Sequence, residues 1–345
     1  MEAKAYQATK PDRAAARPSG LDLRARRFAV WAVRYGTFIG LVIWLVAMSF
    51  SSDYFLTGLN LLNVAKQTSP IIVMGVGATF VMATGGIDLS VGSIVALVSC
   101  LATAWLADGV PPGLAILGVL GVGAGLGVIN GFLVRLGIPP FIATLAGLVS
   151  IRGLAFVYSN GYAKPITDPF VLWIGRGSLA GVDVPILIAA VVAAVGMFAL
   201  NRTQFGIHAL ALGGREEAAR VMGLPNGRLK ILVYAISGGL AALGGIIVAA
   251  RLSNGSPNAG IGLELDVISA VVLGGTSLFG GSATVLGTIV GALFISFIRN
   301  GLNLLDVNPY WVQVVTGIVL VAAVLLNTIM NKRVEQWARI SASDE

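Results

Sequence analysis

Leu229–Ala250 reads LKILVYAISGGLAALGGIIVAA, with a single charged side chain, Lys230, at its edge. A helix of that length crosses the roughly 30 Å hydrocarbon core of a bilayer. The glycines inside it indicate how such helices pack: lipid offers no hydrophobic drive between helices, so small residues let backbones approach closely. The whole chain has the same character. Its 345 residues are 56% hydrophobic and 11% charged, 45 of them glycine, and the mean hydropathy is +0.87. Soluble domains carry about 25% charged residues, so the solvent for most of this chain is lipid. A disordered Gly-rich chain is excluded by the Leu, Val and Ile content.

Apolar runs of this kind recur. They cover Tyr35–Phe50, Pro70–Thr84, Ser90–Ala107, Gly113–Val134, Pro139–Tyr158, Pro185–Leu200, Leu229–Ala250, Leu265–Gly281, Ala283–Leu305 and Trp311–Asn327. The expected fold is therefore all-α, a polytopic membrane helix bundle of about ten transmembrane helices with an internal repeat. Residues 35–328 form the membrane domain, 1–34 a basic cytoplasmic N-terminal tail, and 329–345 a cytoplasmic C-terminal tail. The tail carries eight basic residues from Lys4 to Arg34 with no small-residue cleavage site after it, unlike a signal peptide. With the N-terminus in the cytoplasm, 17 of the 23 Lys and Arg lie inside, among them Arg135, Arg202, Arg215, Arg220, Arg228, Lys230, Lys332, Arg333 and Arg339. Only Lys66, Lys164, Arg176 and Arg251 fall outside, and Arg152 and Arg299 lie within apolar runs. The positive-inside rule prefers this orientation, with both termini cytoplasmic in the inner membrane.

The charged residues also exclude functions. The net charge of +7 is not gathered into a patch with interleaved aromatics, so no nucleic-acid partner is expected. Cys100 is the one cysteine and His208 the one histidine. Neither has neighbours at metal-ligand spacing, and no metal or other cofactor is implied. No G-x-x-x-x-G-K-[ST] stretch is present, so any dependence on ATP comes from a partner. A secondary carrier would need buried carboxylates for ion coupling, and only Asp88, Glu264, Asp266 and Asp306 lie near membrane runs.

The loops carry the rest. Asp53–Ser69 has Leu56, Leu59, Leu62 and Asn63 at near-helical spacing and reads as an interfacial segment or a plain outer connector. Ser159–Asp183, outside, holds Lys164, Phe170, Trp173 and Arg176. Asn201–Asn226, inside, contains Ala211-Leu212-Gly213-Gly214-Arg215-Glu216-Glu217-Ala218-Ala219-Arg220-Val221-Met222-Gly223-Leu224-Pro225. Its two glycines open a short helix, Arg215 to Met222. Glu216 and Glu217 favour the N-terminus, Arg220 pairs with Glu216 at i,i+4, and Gly223 with Pro225 ends it. So short a helix does not persist alone; it is either a capped surface turn or a helix docked into a cytoplasmic partner.

Two echoes point to a duplication. Gly85, Gly86, Leu89, Gly92 and Ser93 match Gly274, Gly275, Leu278, Gly281 and Ser282 as GGxxLxxGS at an offset of 189; Asn130-Gly131 and Pro139 match Asn300-Gly301 and Pro309 at 170. The two imply opposite relative orientations of the halves. Gly-interrupted apolar segments in each half point to a transport site, since unwound backbone is tolerated at membrane depth only beside protein or a water-filled cavity. Asp88 is the carboxylate inside the first segment and reads either as the cap of the next helix or as part of a solute pathway.

Residues 85–93, 211–225 and 272–281, in that order, resemble the signature stretches of ribose, xylose and galactose type ABC permeases, relatives of the branched-chain amino acid permeases. The similarity runs from about residue 35 to 328. It implies a permease that forms a homodimer or pairs with a homologous permease, two cytoplasmic ATP-binding-cassette ATPase subunits, and a periplasmic sugar-binding protein. The solute would be a monosaccharide or related polyol, and the chain itself no enzyme. The resemblance makes Gly213, Gly214, Arg215, Glu216, Glu217, Ala218, Ala219, Arg220 and Gly223 the ATPase-coupling segment. Gly85, Gly86, Asp88, Ser90, Gly274, Gly275, Thr276 and Ser277 would line the path. Lys164, Arg176 and Arg251 would meet acidic residues of the binding protein, or else be solvated loop charges.

Overall fold

Helices begin where the sequence supplies a cap or a proline. Thr57 Oγ1 accepts from Asn60 N at 3.3 Å and starts a helix at Gly58; Thr284 Oγ1 accepts from Gly287 N at 3.3 Å and starts another at Val285. Pro112 and Pro140 occupy first helical turns, where the missing N–H costs nothing. The computed structural model describes residues 20–319 with 321, 322 and 325, and side chains from residue 36 onward. The helices are α1 Gly20–Ser51, α2 Gly58–Ala83, α3 Val91–Ala107, α4 Pro112–Arg135, α5 Pro140–Ser159, α6 Pro169–Arg176, α7 Val184–Arg202, α8 Gln204–Gly214, α9 Glu216–Val221, α10 Asn226–Leu252, α11 Leu263–Leu273 and α12 Val285–Leu304. A last helical stretch, α13, covers 309–319. Two antiparallel ladders connect them: β1 Lys164–Pro165 pairs with β4 Asn254–Gly255, and β2 Ser178–Leu179 with β3 Val182–Asp183. Thr37–Val324 form one compact unit, to which everything below refers; of the other unit, 1–36 with 325–345, only the helical residues 20–36 and Leu325 are described. Most of the expected N-terminal tail, and all of the C-terminal one with Lys332, Arg333 and Arg339, lie outside the described residues.

The protein is an all-α polytopic membrane protein. By length and composition six helices can cross a membrane, α2, α4, α5, α7, α10 and α12, with the shorter apolar helices Gly36–Ser51 and α3 beside them. Ten uninterrupted spans are not what the fold shows. The expected span Leu265–Gly281 ends as a helix at Leu273, because Gly275, Gly280 and Gly281 take positive φ. The expected connector Asp53–Ser69 is in large part helix, the first three turns of α2.

Buried along most of their length, α2, α3 and α10 form the centre, with Met74, Ile94, Val95, Ala241, Ile246, Val267, Val271 and Ile295 in the main apolar cluster. By contrast α4, α5 and α7 bury narrow stripes only. The small-residue packing expected from composition is clearest between α4 and α10. Gly123, Gly127 and Gly131, four apart, sit on Gly238, Tyr234 and Ile231; a Cβ at Gly127 would overlap the Tyr234 carbonyl oxygen.

These contacts fix direction. Gly77 lies on Ser237 and Gly244 on Pro70 and Met74, so α2 and α10 are antiparallel, as are α4 and α10. Thr79 bonds Thr288 at 2.8 Å and Asn60 bonds Asn300 at 2.8 and 2.9 Å, so α2 and α12 are antiparallel too. The helix ends Ala83 and Leu252, the ends Arg135 and Leu304, and the starts Pro140 and Pro309 are each 169 residues apart. The duplication is therefore inverted, and of the two echoes the one near 170 is structural. The 189 echo is not residue-by-residue. Gly85 and Gly275 are the matching left-handed residues after α2 and α11 (φ 79° and 85°), an offset of 190, and four more residues follow in the second segment before its helix starts. Gly92-Ser93 accordingly lie in α3, whereas Gly281-Ser282 are still in the loop.

Candidate translocation and coupling site

After α2 the chain turns back on itself: Gly85 N bonds Met82 O and Gly86 N bonds Val81 O, a helix stop that needs the positive φ of Gly85. Gly86 has no room for a side chain, since a Cβ would lie 2.6 Å from Tyr234 Oη. Tyr234 and Thr144 hydroxyls both donate to Ile87 O at 3.2 Å. Asp88, 2% exposed, follows. Its Oδ1 accepts from Ser90 N (3.0 Å) and Ser90 Oγ (2.6 Å), and its Oδ2 from Ser237 Oγ (2.8 Å); Asn130 Nδ2 donates to Ser90 Oγ at 2.8 Å. Ser90 rather than Asp88 is the N-cap residue of α3, and its hydroxyl makes no cap bond. The carboxylate acts instead as a pin that ties this break to α10 through Ser237 and, by way of Ser90, to α4. Asn130, Tyr234 and Ser237 complete the site, and sequence reading did not assign them to it.

The break between α11 and α12 is longer. Gly274 packs against the Gly287 backbone, while Gly275 faces open space. Thr276, buried, accepts from Thr284 N at 3.2 Å; Ser277 N donates to Ser282 O at 2.9 Å, and Ser277 Oγ accepts from Phe279 N at 3.2 Å. This turn leaves the Phe279 ring 89% exposed. Of the expected path residues, Asp88, Ser90 and Thr276 are thus buried with their side-chain oxygens engaged, Gly86 is buried, and Gly85 and Gly275 are open.

The two breaks touch each other and the end of α8. Gly281 N donates to Ala83 O at 3.1 Å. A Cβ on Gly213 would overlap Ala83 O and lie 2.6 Å from Gly281 N; one on Gly280 would lie 2.7 Å from Gly213 Cα and 2.7 Å from Gly85 N. Gly213 and Gly214 therefore close α8 rather than open a loop. Beyond them α9 is shorter than expected, with Arg215 and Met222 as its caps and Gly223 (φ 79°) as its stop. The expected Glu216–Arg220 pair is replaced by Glu216 with Lys230 of α10 at 2.6 Å, helped by Asn226 Nδ2 on Glu216 O at 3.1 Å. Within α9 only Ala219 is buried; Arg215, Glu217, Ala218, Arg220, Val221 and Met222 all face outward.

At the opposite end of α10, β1 and β4 pair, Ile166 N bonds Ser253 O at 2.9 Å, and Gly175 of α6 lies on the Ala250–Arg251 backbone. Arg176 Nε donates to Arg251 O at 2.9 Å. Lys164, Arg176 and Arg251 are thus brought together. Lys164 and Arg176 are exposed, whereas Arg251 is half-buried in the last turn of α10, its Nη1 buried and without a hydrogen-bond partner among the described residues. The two arginines inside apolar runs both have partners. Arg152 donates to Pro257 O and Ala259 O at 2.8 and 2.6 Å, and Arg299 makes two bonds to Asp266 at 2.6 and 2.5 Å.

Comparison with known proteins agrees with the resemblance carried by these segments. Residues 60–324 match the family described as branched-chain amino acid transport system / permease component. The ribose import permease protein RbsC of Escherichia coli (strain K12) is 41% identical over 304 residues, covering 86% of this chain and 94% of that one. The RbsC protein of Bacillus subtilis (strain 168) is 43% identical over 300 residues, 85% and 92%. The D-allose transport system permease protein AlsC of Escherichia coli (strain K12) is 38% identical over 315 residues, 88% and 94%. No solved structure matches the chain. Matched over most of its length in both kinds of comparison, the chain belongs to the branched-chain amino acid transport system permease family, on the branch of its sugar-type ABC transporter permeases.

Proposed function

We propose that this chain is the membrane-spanning subunit of an ATP-driven importer that passes a monosaccharide or related polyol into the cytoplasm. The observation that carries the reading is its identity to ribose and allose permeases over nearly their whole length. In this reading α9, with nearly every side chain facing outward, is the helix that docks into the ATPase, so its end of the molecule is cytoplasmic. Lys164 and Arg176 lie at the other end, where a periplasmic sugar-binding protein delivers the solute, with Arg251 fixing the arginine beside it. Ten segments cross the membrane: α1, α2, α3, α4, α5, α7, α10, α11, α12 and α13. At 11 residues α11 is about 16 Å long, so it crosses only together with its flanking breaks. Two copies, or this chain and a homologous permease, enclose the path in the inner membrane.

At the breaks, Asp88, Ser90 and Thr276 hold the backbone in shape, and Gly85, Gly275 and Ser277 offer peptide groups and a hydroxyl to a passing polyhydroxylated solute. A permease fed by a binding protein needs no tight site of its own, and weak contacts of this kind release what they bind. The test is uptake of radiolabelled D-ribose, D-allose or L-arabinose into proteoliposomes holding the chain, its ATPase and its binding protein. ATP-dependent accumulation is the expected result. Accumulation driven by a proton or sodium gradient without the ATPase would make the protein a secondary carrier instead.

A further inference from the structure

Four glycines from three distant parts of the chain interlock without side chains between them. Gly213 sits over the hydrogen bond from Gly281 N to Ala83 O that joins the two breaks, and Gly280 is wedged between Gly213 Cα and Gly85 N. A side chain at Gly213 has nowhere to go, because what surrounds it is backbone rather than the flexible end of a side chain. The neighbouring Gly214, in contrast, has open space where its Cβ would be. Contact through backbone alone transmits displacement stiffly, since no rotamer can absorb it.

We propose that Gly213 is a positioning residue for transport: it seats the end of α8 on the junction of the two breaks, so that a displacement of α9 by the ATPase moves both breaks as one body. This rests on the importer reading above. It assigns a mechanical role to a glycine that need touch neither ATPase nor solute. It also accounts for the extra four residues of the second break, which are what carry Gly280 and Gly281 across to Gly213.

The test uses the complex of the full chain with its ATPase and compares hydrogen exchange without nucleotide and trapped with ATP and vanadate. In the parent chain, peptides covering 83–90, 211–222 and 274–284 should change protection together. In Gly213→Ala the change at 211–222 should persist while both breaks lose theirs, with uptake lost; Gly125→Ala, on α4 where a Cβ meets open space, should behave as the parent. Breaks that respond in Gly213→Ala as they do in the parent would overturn the proposal. Should Gly213→Ala not reach the membrane, the parent still decides, since a change confined to 211–222 refutes the junction. Failure of the ATPase to copurify with the parent would refute the importer reading, and the junction role with it.

Discussion

Asp88 illustrates what a residue-level reading can and cannot extract. Its rarity as an ionisable group between two apolar runs marked it for attention, but Ser237, which donates to it, and Asn130, which donates to its partner Ser90, come from helices 149 and 42 positions away, and no local pattern announces them. Both oxygens are consumed by donors, so its first task is to hold the α2–α3 break in place. Replacing it with Ala strands a backbone N–H and two hydroxyls in the interior, at about 1–3 kcal/mol for each unsatisfied group. Asp88→Asn keeps the shape, accepts from Ser90 through its amide oxygen and can donate to the Ser237 hydroxyl, a loss of about 1 kcal/mol. Asp88→Ala should therefore unfold in detergent at clearly lower denaturant than the parent, with Asp88→Asn close to it, when followed by tryptophan fluorescence. Equal stability of Ala and parent would free Asp88 from the pinning role and return it to the solute path.

At the scale of elements, the α4–α10 contact depends on glycine at every fourth position. Gly127→Ala would force the α4 and α10 backbones apart, at about 1–3 kcal/mol of overpacking, whereas Gly125→Ala, facing open space, should be neutral. Midpoints of thermal aggregation for the two purified variants would distinguish them; equal midpoints would mean that α4 and α10 do not pack this tightly. A second pair locks α9 to α10. Exchanging the charges in Glu216→Lys/Lys230→Glu should restore the ATPase association that either single change weakens, measured by copurification; no rescue would show that the pair is incidental. Helices such as α4, α5, α7 and α10 were legible to within a few residues because long apolar runs bounded by Pro, Arg or Gly admit one reading. The ends of α2 and α11 were not. Leu56, Leu59 and Leu62 resemble a loop's apolar contacts as much as a helix's first turns, and Thr276–Gly281 is apolar enough to pass for membrane helix until its positive φ angles are seen. The Glu216–Arg220 pair failed for a related reason, since i,i+4 spacing gives proximity but Lys230, from outside the helix, is the partner.

Across the whole molecule, the inverted duplication sorts the chain into two ends. At one end lie the breaks after α2 and α11, the α8–α9 hairpin and the start of α10; at the other lie β1, β4, α6 and the Asn60–Asn300 pair. Sequence alone showed both echoes and could not choose between them, because the first glycines of the 189 echo recur as the same helix stop after α2 and α11, while its later ones lie in α3 in one copy and in the junction in the other. The proposed sidedness rests on charge. Arg135, Arg202, Arg215, Arg220, Arg228 and Lys230 belong to the α9 end, and Lys66, Lys164, Arg176 and Arg251 to the other. Two of the latter are already engaged, Lys66 by Asp183 at 2.9 Å and Arg251 through its half-buried stem. The positive-inside rule favours the α9 end as the cytoplasmic one, and with Cys100 replaced by Ser, single cysteines test that prediction. A cysteine at Gly214, open and exposed, should react with a membrane-impermeant maleimide only after the cells are permeabilised. One at Tyr162, beside Lys164 on the opposite end, should react in intact cells. Reaction at 214 in intact cells would invert the molecule, remove α9 from reach of any cytoplasmic ATPase, and take the coupling role with it.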